Sequence, residues 1–313
     1  MPIRALISGA AGFVGRYLAA HLAAQGLEVH GFDRPIIPQP RDWSGPWYPC
    51  DVTEPRQVLE VVRAADPDYV FHLAALIKSE SLRELFAVNV VGTQNVLEAL
   101  RARKPGARVL IAGSSAEYGF AQPDEFPMGE DQPLRPMTAY GLSKVAQSLL
   151  GAQYALVHGL AIVRTRTFNL TGPGEPETLV CSTFARQIAA AELADVPPVI
   201  RVGRLDSRRD VLDVRDAVAA YWLAAQYGEA GEVYNVCRGT AVRIGDVLET
   251  LLQLARVPIE VCGEDLNGIK TDVPAQQGSP EKLVALSHWQ PVIPLRRSLV
   301  DLLESWRVAL SSK

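Results

Sequence analysis

The sequence predicts an α/β fold: a doubly wound parallel sheet followed by a smaller, mixed α/β C-terminal lobe. Three observations predict it. Short apolar runs of strand length alternate with segments of helical periodicity as far as Thr165. The first run ends in a glycine-rich turn that leads directly into a helix. After Asn169 the strict alternation stops and helices follow one another with isolated strands between them.

The elements follow in order. Residues 3–8 are apolar and end at Gly9, residues 13–25 repeat apolar positions at helical spacing, and residues 28–32 are a second apolar run. The pattern continues with helices at 58–64, 83–101 and 138–158 and strands at 69–73, 108–112 and 161–165. Such alternation requires right-handed crossovers and a parallel sheet covered on both faces. Gly172-Pro173-Gly174-Glu175-Pro176-Glu177 reads as a loop. Beyond it lie helices at 178–192, 214–227, 244–254 and 295–308, and strands at 199–202 and 232–236. No long linker separates the two parts. The expected organisation is therefore a first domain over 1–170, with a returning segment near 208–240, interleaved with a lobe over 171–313 across a shared cleft.

Composition narrows the classes. With 313 residues, 48% of them hydrophobic, the chain can bury a large core. A formal charge of −4 without a basic run gives no footprint for nucleic acid or an anionic membrane. No stretch is apolar for long enough to span a bilayer, and the first residues run straight into a strand rather than a leader segment. Cys50, Cys181, Cys237 and Cys262 lie far apart, so reduced thiols and a cytoplasmic location are expected. His21, His30, His72, His158 and His288 have no paired spacing, which argues against a metal site or a serine-hydrolase triad. His72 falls in a strand expected to be buried. Trp289, Pro291 and Trp306 read as core and capping residues of the smaller lobe.

Gly9-Ala10-Ala11-Gly12-Phe13-Val14-Gly15 carries the first chemical signal. Gly9 follows the strand where the chain must turn, Gly12 lets the backbone approach a pyrophosphate, and Gly15 lets the helix pack closely on the sheet. The helix N-terminus then faces the phosphates. This is a Rossmann-type dinucleotide turn. Asp33 ends the second strand, where a carboxylate can accept both ribose hydroxyls and repel a 2′-phosphate, which favours NAD. Arg34 follows and offers a guanidinium that suits NADP. Asp51-Val52 lies between the strand at 28–32 and the helix at 58–64, positioned to hydrogen-bond an adenine or simply to form a turn.

The second signal is Ser114, Tyr140 and Lys144. Tyr140 and Lys144 are four apart on one helix, so the ammonium is expected beside the phenol, favouring its ionised form. Ser114 follows the strand at 108–112, at the carboxyl edge where doubly wound sheets place ligands. There its hydroxyl can hold a carbonyl oxygen next to the phenol. The chemistry implied is hydride transfer, with Tyr140 as acid or base.

Gly9–Gly15, His72-Leu73-Ala74-Ala75, Asn89-Val90-Val91-Gly92-Thr93, Ser114-Ser115-Ala116-Glu117-Tyr118-Gly119 and Tyr140–Lys144 together resemble the extended short-chain dehydrogenases/reductases that act on nucleotide sugars. The resemblance spans nearly the whole chain. It places Leu73, Ala74 and Ala75 among the cofactor contacts. Leu134-Arg135-Pro136-Met137, residues 164–169, Gly172-Pro173-Gly174, Arg209-Asp210, residues 213–216, Ala220-Tyr221-Trp222 and Tyr234-Asn235-Val236 are most similar to the GDP-6-deoxy-D-lyxo-4-hexulose reductases, kin of the GDP-mannose 4,6-dehydratases. The resemblance implies that Asn169 and Arg209 hold the substrate diphosphate. Amide and guanidinium donors suit phosphate oxygens. Arg186, on the helix after the loop, is a further candidate or else a solvated arginine of the helix face.

Two positions depart from the pattern. The dehydratases carry a catalytic glutamate two residues after the catalytic hydroxyl, and that position here is Ala116. Glu117 is next to it, but one step along an extended segment is expected to turn its side chain to the opposite face. Near Ile269-Lys270-Thr271-Asp272-Val273-Pro274 the relatives carry Arg-Pro-[Ser/Thr]-Glu-Val; Ile269 holds the arginine position, leaving Lys270 to reach the nucleotide phosphates. The apolar faces of 83–101 and 138–158 exceed what the sheet covers, and the resemblance implies a homodimer through a four-helix bundle. The reading is a reductase of the C4 ketone of a nucleotide 4-keto-6-deoxyhexose, giving a product such as GDP-D-rhamnose. A nucleotide-sugar 4-epimerase or 4,6-dehydratase that recycles NAD is the alternative, and a non-enzymatic dinucleotide-binding relative is more distant.

Overall fold

A computed structural model describes residues 2–193, 198–263 and 273–311. The first half is built from β1 (Arg4–Ser8), α1 (Phe13–Ala24), β2 (Glu28–Asp33), β3 (Trp47–Pro49), α2 (Pro55–Ala65), β4 (Tyr69–His72), α3 (Leu82–Phe86), α4 (Gly92–Arg103), β5 (Arg108–Ser114), α5 (Ala139–His158) and β6 (Ala161–Thr167). The second half contains β7 (Asn169–Thr171), α6 (Val180–Leu193), β8 (Val199–Val202), β9 (Arg208–Asp213), α7 (Val214–Tyr227), β10 (Val233–Val236), β11 (Ala241–Arg243), α8 (Ile244–Leu252), β12 (Glu260–Gly263), β13 (Ala275–Gln276), α9 (Glu281–Ser287) and α10 (Leu295–Ser311).

Seven strands form one parallel sheet in the order β10-β6-β5-β4-β1-β2-β3. Its strands are near-continuous apolar runs because helices cover both faces. Leu18, Leu22, Phe71, Tyr221 and Trp222 fill the side under α1 and α7. Leu6, Val58, Leu97, Leu100, Ile111 and Ile162 fill the side under α2, α4 and α5. Fully burying each such side chain stabilises the fold by about 1.5–3 kcal/mol. The chain winds from β1 outward to β3, then returns to the other side of β1 at β4. This reversal opens a crevice at the carboxyl ends of β1 and β4, where ligands bind in such sheets.

The segment predicted as one helix over 83–101 runs from Leu82 to Arg103, interrupted by a π-helical turn at Ala87–Val91. Asn89 is buried in that wider turn. Its amide accepts from Leu76 N–H (2.8 Å) and donates to Leu76 O (3.0 Å) and Ser143 Oγ (2.9 Å). Exposed Val91, Leu142, Leu149 and Leu156 lie on this turn and on α5.

The smaller lobe packs α6, α8 and α10 around Phe184, Ile188, Val211, Leu248, Leu299 and Leu302. In its sheet β9 pairs with β11, β13 and β7, while β8 pairs with β12. Thus β9 belongs to the small sheet, and the chain returns to the large sheet with α7 and β10. Trp306 packs on the small-lobe core as expected. Trp289 does not: it is buried in the cluster under α7, with its indole N–H on Asp216 O at 3.2 Å. The cause is α9, which carries the chain back over α7 before α10 begins. No helix among the described residues is long and apolar enough to cross a membrane.

Candidate active site

A cavity of about 700 Å³ opens along the crevice. Every sequence-predicted cofactor residue lines it: Gly9, Gly12, Phe13, Val14 and Gly15; Asp33 and Arg34; Asp51 and Val52; Leu73, Ala74 and Ala75; and Tyr140 with Lys144. Ser114 and Asn169 line it too.

The glycine turn fits a dinucleotide's phosphates. Gly9 has φ +68°, and a Cβ there would lie 2.9 Å from Ala74 N; one at Gly15 would lie 2.4 Å from Gly9 O. Helix α1 starts without a side-chain cap and without an acidic residue in its first turn. Its unbonded N–H groups and dipole are therefore available to an anion. Asp33 is fixed: Oδ2 accepts from Ala11 N–H (3.2 Å) and Oδ1 from Arg34 N–H (2.8 Å). Asp51 Oδ1 is occupied by Thr53 N–H (2.9 Å) and Thr53 Oγ1 (2.8 Å), the turn-forming arrangement.

At the other end, Ser114 caps a 3₁₀ turn, Ser115–Glu117. Its Oγ accepts from Ala116 N–H at 3.2 Å, and Glu117 Oε1 accepts from Ser114 N–H at 2.8 Å. The expectation for Glu117 is corrected in its cause. The segment is not extended; the reciprocal cap turns Glu117 into the interior, where Arg166 Nε donates to Oε2 at 3.1 Å. Arg166 Nη1 also bonds Tyr118 Oη (3.2 Å) and Glu130 O (2.7 Å), and Tyr118 Oη donates to Asn235 Oδ1 at 2.6 Å. Burial works against the Arg166 charge, but the neighbouring Tyr118 and Glu117 outweigh it and hold its pKa up. Ala116 lines the cavity and Glu117 does not.

The expected coupling of Lys144 to Tyr140 is also corrected. Lys144 is buried, and its ammonium donates to Ala112 O (2.6 Å) and to Gln147 Oε1. Burial draws its pKa down to about 8, with Glu117 opposing. The Tyr140 phenol is pushed up to about 12, chiefly by burial, against a hydrogen bond from Ser114 that lowers it. In the protein alone, desolvation outweighs any drift of the phenol toward neutrality.

Arg186 and Arg209 do not line the cavity. Arg186 pairs with Glu177 at 2.9 Å and sits over the Trp306 ring. Arg209 is half-buried, one Nη donating to Arg208 O at 2.9 Å, opposite Gln276, which does line the cavity. Lys270 lies outside the described residues.

Sequence reasoning missed Gln147, Tyr221 and Glu175. Gln147 is one helical turn beyond Lys144, a spacing that carried the signal. Tyr221 Oη bonds Thr167 Oγ1 at 2.7 Å at the cavity wall. Glu175 lines the cavity while 2% exposed, with Thr171 Oγ1 donating to it at 2.7 Å; burial pushes its carboxyl up to about 7.

Known proteins share this fold. A family model described as the NAD dependent epimerase/dehydratase family matches residues 5–237. Over 310 residues the chain is 31% identical to a GDP-6-deoxy-D-mannose reductase of Pseudomonas aeruginosa, with 98% of each covered. The structure of RMD from Pseudomonas aeruginosa complexed with NADPH superposes with a TM-score of 0.86 at 31% identity, covering 98% of this chain and 100% of that one. A Thermus thermophilus UDP-glucose 4-epimerase in complex with NAD gives a TM-score of 0.85 at 27% identity, with 98% and 100% covered. With the glycine turn, the fixed Asp33 and the Ser114, Tyr140 and Lys144 end all facing one crevice, the chain belongs to the NAD dependent epimerase/dehydratase family and is an NAD(P)-dependent oxidoreductase.

Proposed function

We propose that the protein reduces the C4 ketone of a nucleotide 4-keto-6-deoxyhexose, GDP-4-keto-6-deoxymannose going to GDP-D-rhamnose, with NAD(P)H consumed once per product. The observation that carries this reading is one cavity wall on which Ser114, Ala116, Tyr140 and Lys144 stand together. Two hydroxyls meet a carbonyl there, and a methyl occupies the position at which the dehydratases keep their proton-handling glutamate. The 31% identity to a GDP-6-deoxy-D-mannose reductase over the full length supports the same class.

Bound along the glycine turn, NAD(P)H supplies the hydride. Ser114 Oγ holds the O4 oxygen, and Tyr140 Oη gives its proton to that oxygen as C4 is reduced. Lys144 lines the same cavity and supplies positive charge for the phenolate that forms once Tyr140 has given up its proton. Phe168, Leu179 and Val180 contribute apolar lining to the same cavity. Asn169, which lines the cavity, and Arg209, opposite Gln276 on the adjoining strand, hold the diphosphate. The fixed Asp33 favours NAD, and Arg34 beside it narrows the margin over NADP. The two parts of the chain interleave as a dinucleotide-binding domain and a substrate lobe. The exposed apolar side chains of α5 support a homodimer.

The test supplies GDP-4-keto-6-deoxymannose and follows nicotinamide absorbance. Stoichiometric loss of NADH or NADPH is expected, with no 4-keto product from GDP-mannose alone. Formation of that ketone from GDP-mannose without added cofactor overturns the reading. An epimerase or dehydratase that recycles tightly held NAD is the second reading, favoured by Asp33 and disfavoured, for the dehydratase, by Ala116.

A further inference from the structure

Four buried side chains, one each from β1, β4, α4 and α5, form one hydrogen-bonded line behind Lys144. Leu73 N–H and Ala74 N–H both donate to Ser8 Oγ at 3.1 Å. Ser8 Oγ lies 2.7 Å from His72 Nδ1, and His72 Nε2 lies 2.8 Å from Thr93 Oγ1. Thr93 donates its own hydrogen to Asn89 O at 2.7 Å and receives Gln147 Nε2 at 2.7 Å. Gln147 Oε1 then receives the Lys144 ammonium. Ser8, His72, Thr93 and Gln147 are each at most 1% exposed.

The proton positions along this line are determined. Because Thr93 spends its hydrogen on Asn89 O, its oxygen can only accept from His72 Nε2–H and from the Gln147 amide. His72 Nδ1 is therefore bare and accepts from Ser8, whose oxygen accepts the two backbone N–H groups. The imidazole is neutral, consistent with a pKa held down to about 3 by burial and by Lys144. A flipped Gln147 amide would set an NH₂ against the ammonium and a carbonyl against an oxygen with no hydrogen left to give. Its orientation is locked.

We propose that Gln147 is the positioning residue for Lys144, its amide locked through Thr93 and His72 so that the carbonyl holds the ammonium at the catalytic end of the cavity. With Ala112 O on a second hydrogen, the remaining donor of Nζ is left to the cavity that Lys144 lines. Among titratable groups around Nζ, Glu117 faces it from the turn after β5, neutral His72 from β4, and Tyr140 precedes it by one turn of α5. Beside the Ala112 carbonyl, which the strand holds, Gln147 offers the side-chain acceptor, its direction set from outside the site. The line starts at Leu73 and Ala74, so the cofactor floor and the catalytic lysine share one rigid polar frame. This inference rests on the reading that Lys144 serves the reaction.

The test reads Lys144 directly, by the pH titration of its ¹³Cε resonance in the full chain without added cofactor, assigned with Lys144→Arg. Removing the acceptor disfavours the charged form, so Gln147→Leu is expected to lower the midpoint by about one pH unit. Gln147→Glu replaces the amide with a carboxylate and is expected to raise it by a similar amount; it carries the test if the leucine variant does not fold. A midpoint unmoved in the folded variants, or shifted the same way in both, overturns the proposal. Opposite shifts in a protein that never oxidises NADH or NADPH would leave the positioning intact and sink the catalytic reading instead.

Discussion

Glu117 and Lys144 are both buried ions near Tyr140, and they are held in different ways. Glu117 is held by a charge, Arg166, with Tyr118 and Asn235 behind it. Lys144 is held by dipoles, the Ala112 carbonyl and the Gln147 amide, with neutral Thr93, His72 and Ser8 behind them. A charge pair attracts strongly but leaves an uncompensated ion if either member is lost. A dipole line contributes less and fixes direction more. The first suits Ser114, whose backbone must be anchored; the second suits Lys144, whose charge must stay available to the cavity.

The comparison breaks most visibly at Arg166. Arg166→Met leaves Glu117 buried beside a methyl group and removes a donor from Tyr118 Oη and from Glu130 O. It is expected to destabilise the fold by about 3–5 kcal/mol, read as a shift of the urea midpoint at unchanged slope. A loss under about 1 kcal/mol would show that Glu117 is already neutral in the folded protein and that the contrast between the two sides is false.

Tyr140→Phe touches neither support. Stability and cofactor binding are expected to persist while turnover falls by about two to four orders of magnitude, the span for losing a positioned acid. A near-normal rate would remove Tyr140 from the chemistry and leave both networks as scaffolding.

How much of this was legible depends on sequence distance. Gly9, Gly12 and Gly15 act through backbone geometry over seven residues, and Tyr140 and Lys144 through one helical turn. Local spacing therefore exposed them, and the parallel sheet followed from the same periodicity. Glu117 does turn away from the cavity, but its backbone was misread as extended for want of one local rule: Ser114-Ser115-Ala116-Glu117 has the capping-box pattern, which marks a turn and not a strand. The line from Ser8 to Lys144 joins residues separated by 64, 21 and 54 positions, and no local rule brings them together. Tertiary burial likewise decided the Tyr140 phenol, reversing what the lysine spacing implied.

Glu175 sharpens the comparison as an acid held by dipoles alone. Thr171 Oγ1 and the N–H groups of Gly172 and Ser182 are its partners, and burial outweighs them, leaving its carboxyl near 7. A carboxyl raised in the folded state contributes stability that is complete below the ordinary carboxylate range and is lost as pH rises through 7. Glu175→Gln removes that dependence. Relative to the parent protein the variant is expected to gain on the order of 2–3 kcal/mol between pH 5 and pH 8, measured by urea unfolding at both. A difference between the two proteins that does not change with pH would mean that its hydrogen bonds compensate its burial fully.

Asp33 is the mildest case, an ion held by two backbone N–H groups at the cavity edge and half-exposed to it. Because Ala11 and Arg34 fix both oxygens, the carboxylate cannot swing away from a 2′-phosphate, and its free lone pairs can accept ribose hydroxyls. Asp33→Ala should therefore weaken NADH binding by about tenfold, near 1.4 kcal/mol, and narrow the gap to NADPH. Arg34→Ala should weaken NADPH alone. Titration of each variant with both cofactors separates the effects, since a purely structural loss of the turn would weaken the two alike. Unchanged affinity for both in Asp33→Ala would place the ribose elsewhere, and the rule that dipole-held ions face the ligand would fail at the edge where it is easiest to measure.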